Sequence, residues 1–180
     1  MKPILYLYPT TKTDVTVDFA KPELLLSTYP KFHDEWRVTA EPSGELTDAD
    51  HKQYYALYWD ALNPDPDTFA DGFYVTKDGA IGFLEKTLAQ IGLTWREQDE
   101  FIMYWLPILE KNEQSIVRFK FTDELQRENA VNISPRSDAF LRVEIQVKKV
   151  DAPVGIPAQI LPPTFERHGF TAVEWGGTEY

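Results

Sequence analysis

The amino-acid sequence predicts an α+β fold whose main part is a predominantly antiparallel, sandwich-like β-sheet. Alternation of apolar and polar residues, which is typical of strands, dominates both ends of the chain. A helical apolar stripe is confined to the middle. No internal repeat or loose linker divides the chain, so we expect residues 1–180 to form a single α+β domain.

The strands are predicted from period-two patterns. In residues 15–19 and 141–147, apolar side chains alternate with polar ones, as in strands that bury one face. Residues 54–59 and 101–106 are apolar on both faces, and we expect them to be central strands. Pro107 disfavours a helix there, because the residue before a proline is pushed out of the α region.

One main helix is predicted between Asp78 and Gly92. Asp78 is suited to the N-cap position and Gly92 to a left-handed stop. The apolar stripe between them consists of Ile81, Leu84, Leu88 and Ile91. Thr94 and Glu97 have capping-box spacing and predict a second, short helix. A third short helix is expected at residues 123–128.

The composition is that of an acidic, aromatic-rich chain. It has 180 residues and a net charge of −11, with 5 Trp, 9 Tyr, 11 Phe and no Cys. Nucleic acid and anionic membranes need positive surface, so we expect neither as a partner. The missing cysteines exclude disulfides, thiolate metal sites and cysteine nucleophiles. The acidic side chains concentrate in residues 34–71, which are either a solvated face or a surface that attracts cations.

The sequence lacks the motifs of the common enzyme classes. It contains no glycine-rich phosphate loop, no G-x-S-x-G and no H-E-x-x-H. His33, His51 and His168 are far apart and have no partner at helical spacing for a zinc site. We therefore expect a non-enzymatic protein without a cofactor.

Aromatic residues in the two apolar runs are candidates for ligand binding. Tyr58, Trp59, Tyr104 and Trp105 present flat apolar faces with polar edges, the kind of surface on which sugars or extended chains bind. Because aromatic residues in strands also form cores and cross-strand pairs, a purely structural role is the alternative.

Two carboxylates adjoin tryptophans and suggest a different function. Asp60 follows Trp59, and Glu174 precedes Trp175. A carboxylate against an aromatic wall has the environment that suits general-acid work, and paired carboxylates hydrolyse glycosides. The alternative function is thus a glycosidase-like hydrolase that uses two of Asp60, Glu166 and Glu174.

The C-terminal residues have two interpretations. A strand pattern that ends in Trp175 and two glycines predicts a last strand docked into the sheet, with Trp175 as its anchor. Alternatively, Glu166, Arg167, His168 and Glu174 form a charged cluster near the chain terminus, and Arg167, His168 and Trp175 bind a ligand.

Calcium is the one metal that the sequence leaves open. Asn63, Asp65 and Asp67 match the first ligand positions of an EF-hand loop, but Thr68 and Tyr74 stand where that loop needs Gly and Glu. A different oxygen-rich site with Asp65, Asp67 and Asp71 is the remaining possibility. A proline-stiffened acidic loop without metal is the alternative.

Several motifs occur in a fixed order along the chain. They are KPILYLYP at 2–9, TYP at 28–30, WRVTA at 36–40, LYW at 57–59, FIMYWLP at 101–107 and EWGG at 174–177. The set resembles a family of uncharacterised microbial proteins that share these motifs over their whole length. The resemblance implies that residues 1–180 are one complete unit, and it implies no activity or site residue.

Together these observations predict a binding or interaction domain that recognises a carbohydrate polymer or a protein through an aromatic β-sheet surface. A hydrolase and a structural subunit of a larger assembly are the alternatives. The chain starts at Met1 without a leader, so we expect it to be cytoplasmic if Met1 is the native start. It is secreted or on the cell surface if a leader was removed.

Overall fold

The computed structural model describes residues 3–62 and 69–180. It confirms the α+β class, with two mostly antiparallel sheets and three α-helices in the described residues. The strands are β1 (Ile4–Tyr8), β2 (Thr13–Phe19), β3 (Leu25–Tyr29), β4 (Trp36–Ala40), β5 (Leu46–Thr47), β6 (Gln53–Tyr54), β7 (Leu57–Ala61), β8 (Phe73–Thr76), β9 (Gln114–Phe121), β10 (Val131–Ser134), β11 (Ala139–Lys149) and β12 (Thr171–Glu179). The helices are α1 (Ala80–Ile91), α2 (Trp95–Asn112) and α3 (Thr122–Glu128).

The strands form a seven-stranded and a five-stranded sheet. The seven-stranded sheet has the order β3-β7-β1-β12-β11-β9-β8, and the five-stranded sheet has the order β10-β2-β4-β5-β6. Every pairing given for these strands is antiparallel. Strand β2 alternates buried with less buried residues, as its period-two pattern predicts. Strand β7 alternates too, although its sequence was predicted to be apolar on both faces.

The chain divides into two compact units. The first comprises the described residues of Met1–Pro64, Lys120–Glu144 and Arg167–Gly176. Its core lies between the two sheets, because inward side chains of β1 and β7 pack with those of β2 and β4. These side chains are Leu5, Leu7, Val15, Val17, Phe19, Trp36, Val38, Leu57 and Trp59.

The second unit contains α1, α2 and β8. It comprises the described residues of Asp65–Phe119, Ile145–Glu166 and Gly177–Tyr180. Helix α1 ends as predicted at Gly92, whose φ of 103° is left-handed. Its start differs, since Gly79 is the N-cap after a 3₁₀ turn (Lys77–Gly79) and no side chain caps the helix. Residues 152–163 form no helix or strand. Within this segment, the Gln159 side chain accepts a hydrogen bond from the Phe119 N–H and donates one to the Phe119 carbonyl.

The prediction of a central strand at residues 101–106 is wrong, because these residues lie inside α2. The capping box of Thr94 and Glu97 is present, but it starts an 18-residue helix rather than a short one. Glu97, Phe101, Trp105 and Leu109 are buried at a spacing of four residues. The run looked like a two-faced strand because the apolar residues Met103 and Tyr104 lie on the exposed side of the helix.

The prediction of one central strand at residues 54–59 is wrong as well. The chain leaves β6 after Tyr54 and enters β7 only at Leu57. Strand β6 is at the edge of the five-stranded sheet, and β7 is next to the edge strand β3 of the other sheet. The short helix expected at residues 123–128 is confirmed as α3. Among the described residues, no helix combines the length and apolarity that a membrane crossing requires.

Candidate functional site

A group of tyrosines lies on the outer side of the first unit. Tyr29 and Tyr55 are 54% and 59% exposed, and Tyr8, Tyr54 and Tyr58 are half-buried. We call these five residues the tyrosine surface. Tyr29 and Tyr55 therefore expose apolar ring area to water.

Strand register brings these tyrosines together. Tyr29 of β3 is directly opposite Tyr58 of β7, and Tyr58 is opposite Ile4 of β1. Opposite residues of antiparallel strands point to the same face, and so do alternate residues of one strand. Tyr58 and Tyr8 therefore lie on the face opposite the core residues Leu57 and Trp59.

Ring contacts link the tyrosines in two groups. Tyr29 and Tyr54 meet edge to face with their ring centroids 5.5 Å apart. The buried ring of Tyr6 is parallel to that of Tyr8 at 6.2 Å and lies 6.4 Å from that of Tyr55. Because Tyr8 and Tyr55 contact the buried ring of Tyr6, their positions are largely set before a ligand binds.

A turn glycine supports one end of the tyrosine surface. Gly44 has a φ of 90° in the turn after β4, where a residue with a side chain is disfavoured. A Cβ atom there would also lie 2.7 Å from Cε1 of Tyr8. Gly44 thus allows the backbone to pack directly against this ring.

Two cations lie over tyrosine rings. The Nζ atom of Lys52 is 4.9 Å from the ring centroid of Tyr29 and 5.3 Å from that of Tyr54. The guanidinium carbon of Arg167 is 5.6 Å from the ring centroid of Tyr8. These are cation–π distances. The tyrosine surface therefore carries positive charge in a chain of net charge −11.

Asp48 organises the loop that bears Lys52. Its carboxylate accepts hydrogen bonds from the Tyr54 hydroxyl at 2.7 Å and from the backbone N–H groups of Asp50 and Lys52 at 3.0 and 2.9 Å. The bond from Tyr54, followed by that from Lys52, lowers the pKa of Asp48. Desolvation and the same bond raise the pKa of the Tyr54 phenol, and a hydrogen bond with Tyr29 raises that of Lys52.

The three tryptophans predicted to bind a ligand are buried, so the prediction that they present their rings to a ligand is wrong. Trp59, Trp105 and Trp175 are 1%, 2% and 2% exposed. Trp59 packs on Phe19 in the core, and the Trp175 indole N–H donates to the Tyr6 hydroxyl at 2.9 Å. The period-two pattern places Trp59 on the core face and Tyr58 on the outer face.

The other predicted binding residues have different positions. Tyr58 belongs to the tyrosine surface, and Arg167 contacts it through the Tyr8 ring. His168 is exposed, and its backbone carbonyl accepts a hydrogen bond from the Thr171 hydroxyl. Tyr104 is on α2 of the second unit, not on a strand. The docked last strand is confirmed as β12, with Trp175 buried in it.

The carboxylate candidates differ in their surroundings. Glu174 is 3% exposed and forms an ion pair with Arg142 at 2.8 Å. Its second oxygen accepts a hydrogen bond from the Trp59 indole at 3.2 Å. Asp60 is half-buried and shares the outer face of β7 with Tyr58, whereas Glu166 is exposed in the second unit.

The calcium candidates fall largely on residues for which no structure is described. Asp65 and Asp67 lie outside the described residues. Asp71 is paired with Arg118 at 3.4 Å in the second unit. Within residues 3–62 and 69–180, no group of three or more His, Asp or Glu side chains is arranged to hold a metal.

Sequence reasoning missed most of the tyrosine surface. Tyr8, Tyr29, Tyr54 and Tyr55 were not predicted as site residues, and neither was Lys52. A usable signal was the alternation of tyrosine with leucine in β1, which gives that strand one aliphatic face and one aromatic face. The remaining contacts join segments that are far apart in the chain.

Comparison of the chain with protein-family models, with curated proteins and with solved structures finds no match. The resemblance to the microbial family stays a prediction.

Proposed function

We propose that this protein is a non-enzymatic binding domain whose tyrosine surface recognises a carbohydrate chain. The observation that carries the proposal is the exposure of Tyr29 and Tyr55 beside half-buried rings that strand pairing holds in place. Tyrosine rings provide rigid contact area at a low cost in conformational entropy. Sugar rings bury their apolar C–H faces well against such area.

Polar groups around the rings support a carbohydrate over an apolar ligand. Each tyrosine has a hydroxyl group, and Lys52, Arg167 and Asp60 add donors and an acceptor at or next to the tyrosine surface. A few polar groups among apolar walls orient a ligand in typical binding sites. A glycan alternates apolar faces with hydroxyl groups and matches this arrangement.

The test is a glycan array followed by titration of the best oligosaccharide. We expect the wild-type protein to bind, and Tyr29→Ala or Tyr55→Ala to weaken binding about tenfold or more, because a central aromatic contact contributes about 2 kcal/mol. The matched control is Trp95→Ala, which removes a ring that is 69% exposed on α2 of the second unit.

Three outcomes would contradict the proposal. The wild-type protein binds no glycan, Trp95→Ala weakens binding as much as Tyr29→Ala, or the bound oligosaccharide is cleaved. Release of reducing ends would favour the hydrolase alternative, and Asp60→Asn would then be the first variant to assay. Binding to a protein but to no glycan would favour a protein-interaction domain.

A further inference from the structure

A cleft in the first unit shares no residue with the tyrosine surface. Its volume is about 530 Å³, and it is built by α3, β10, the following turn and the start of β11. This volume is within the range of small-molecule sites, roughly 300–1,000 Å³. The lining residues are Thr122, Gln126, Val131, Asn132, Ile133, Arg136, Ser137, Asp138 and Phe140.

Internal hydrogen bonds fix several polar walls of the cleft. Gln126 holds the backbone of Val131 through both side-chain atoms and also accepts from Arg142. The Asn132 amide donates to Asp18 at 2.6 Å. Because these groups already have partners, they shape the cleft and contribute little free hydrogen-bonding capacity to a ligand.

The turn after β10 supplies polar and charged side chains that, unlike Gln126 and Asn132, keep hydrogen-bonding capacity for a ligand. Arg136 and Ser137 line the cleft, and their side chains have no hydrogen bond or ion pair with any residue that the structure describes. Arg136 and Asp138 are two residues apart and are not paired with each other. The cleft thus has a free cation and a carboxylate that no described cation neutralises.

Asp138 is an exposed residue of the wall, and the backbone fixes one of its carboxylate oxygens. Its Oδ2 atom accepts a hydrogen bond from the backbone N–H of Phe170 at 2.7 Å. Gly169 has a φ of 55°, and a Cβ atom at this glycine would lie 2.1 Å from the same oxygen. The carboxylate is therefore placed before any ligand arrives, which lowers the entropic cost of binding.

Apolar side chains provide a surface between the charged groups. Ile133 and Phe140 are half-buried and pack on the core, and Val131 is buried. They give a ligand apolar contact without exposing a large hydrophobic patch. The cleft therefore combines a cation, an anion and an apolar wall.

We propose that this cleft binds a small zwitterion with an apolar body, such as a short peptide with free ends. Its carboxylate pairs with Arg136, its ammonium pairs with Asp138, and its apolar part contacts Ile133 and Phe140. Arginine is suited to the first contact because its planar guanidinium can bind a carboxylate through two hydrogen bonds. A simple anion fits less well because Asp138 repels it.

The test compares three forms of one dipeptide by titration into ¹⁵N-labelled protein. The probes are leucyl-phenylalanine, its N-acetyl form, which lacks the ammonium, and its C-terminal amide, which lacks the carboxylate. We expect the free dipeptide to shift the amide resonances of residues 131–140. We expect each blocked form to bind about tenfold more weakly or worse, since a charge-assisted hydrogen bond is lost.

Two variants assign the contacts. Arg136→Gln is expected to weaken the free dipeptide about tenfold and leave the amide unchanged. Asp138→Asn keeps an acceptor for Phe170 and is expected to weaken the free dipeptide but not the N-acetyl form. Arg127→Gln, which removes a charge from α3 outside the cleft, is the control and should change nothing.

The proposal would be overturned by the absence of shifts at residues 131–140 with the free dipeptide. Equal affinity for all three probes, or tighter binding of the N-acetyl form, would overturn it too, because each shows that two opposite charges are not needed. These comparisons use the wild-type protein, so they hold even where a variant fails to fold. Glycan binding by the tyrosine surface is unaffected by any of these outcomes.

Discussion

At the scale of single residues, the first unit contains a buried ion pair between Arg142 and Glu174, which stabilises the fold and is not available to a ligand. Arg142 and Glu174 are 2% and 3% exposed. The remaining guanidinium hydrogen bonds of Arg142 go to the Gln126 side chain and the Asn129 carbonyl at 2.7 and 2.8 Å. A buried ion pair stabilises a fold only when its hydrogen bonds are satisfied, and here several are.

The first prediction is that Glu174→Gln strongly destabilises the protein. It leaves the Arg142 charge buried without a counter-charge, and we expect the free energy of unfolding to fall by about 3–5 kcal/mol. The measurement is urea unfolding followed by circular dichroism.

The control for this prediction is Glu41→Gln. Glu41 pairs with Lys12 at 2.8 Å on the surface. An exposed pair contributes about 1 kcal/mol or less. Equal losses for both variants would show that the buried position of Glu174 is not what matters.

A second prediction at this scale concerns the pH dependence of Asp48. Its lowered pKa means that folding favours the carboxylate. The associated stability is present above the ordinary pKa of 3.8 and is lost as the pH falls through the lower pKa of the folded state. Tyr54→Phe removes the largest cause, so we expect the pKa of Asp48 to rise.

The measurement is an NMR titration of the side-chain carboxyl resonances. Resonances of carboxylates far from Tyr54, recorded in the same spectra, are the internal control. An unchanged Asp48 titration in Tyr54→Phe would show that the hydroxyl is not the group that stabilises this carboxylate.

At the scale of elements, two consecutive glycines determine how closely other segments approach β12. A Cβ atom at Gly176 would lie 2.8 Å from Cα of Pro3. One at Gly177 would lie 2.2 Å from the Trp105 ring and 2.4 Å from the carbonyl oxygen of Ile145. Residues without a side chain at these two positions thus let neighbouring segments come close to β12.

The third prediction compares two glycine substitutions. Gly177→Ala forces backbone or ring displacement, and we expect it to destabilise the protein by about 1–3 kcal/mol. Gly82→Ala, in the first turn of α1, has open space around its Cβ position and should stabilise the protein by about 0.5–1 kcal/mol.

Thermal and urea unfolding of the two variants provide the check. A stable Gly177→Ala protein would mean that Trp105 repacks at no cost, contrary to the close packing of protein interiors. Destabilisation by Gly82→Ala would show that α1 needs the glycine for a reason outside its described neighbourhood.

At the scale of the whole molecule, the dominant physical property is the net charge of −11. Like charges repel within a compact chain and reduce its stability. Lys52 and Arg167 at the tyrosine surface oppose this excess only locally.

The fourth prediction is that added NaCl stabilises the protein. Between about 10 mM and 150 mM ionic strength the Debye length falls from about 30 Å to about 8 Å, so self-repulsion weakens and the melting temperature should rise. Calorimetric melting at both salt concentrations measures this. A lower melting temperature at the higher ionic strength would indicate that attractive charge pairs dominate instead.

CaCl₂ at matched ionic strength is the control in this experiment. A further increase with calcium would support a site that involves Asp65, Asp67 and Asp71, because a ligand that binds only the folded state stabilises it. The same melting temperature in both salts would argue against that site.

Features that depend on neighbours within one helical turn or one strand were predictable from the sequence. These are the stop of α1 at Gly92, the capping box of α2, the short helix α3 and the two faces of β2. The α+β class follows from them. The strand predicted at residues 101–106 failed because a helix with apolar residues on its exposed side has the same composition as a buried strand.

The candidate site depended on tertiary structure. The local sequence shows that Tyr58 and Trp59 point to opposite faces of their strand. It does not show which of the two faces the second sheet covers. Contacts between distant segments decide this: Trp59 meets Glu174, 115 residues away, inside the first unit. Burial is a property of assembled strands, so only the fold shows that Trp59 packs in the interior while Tyr29 and Tyr55 face solvent.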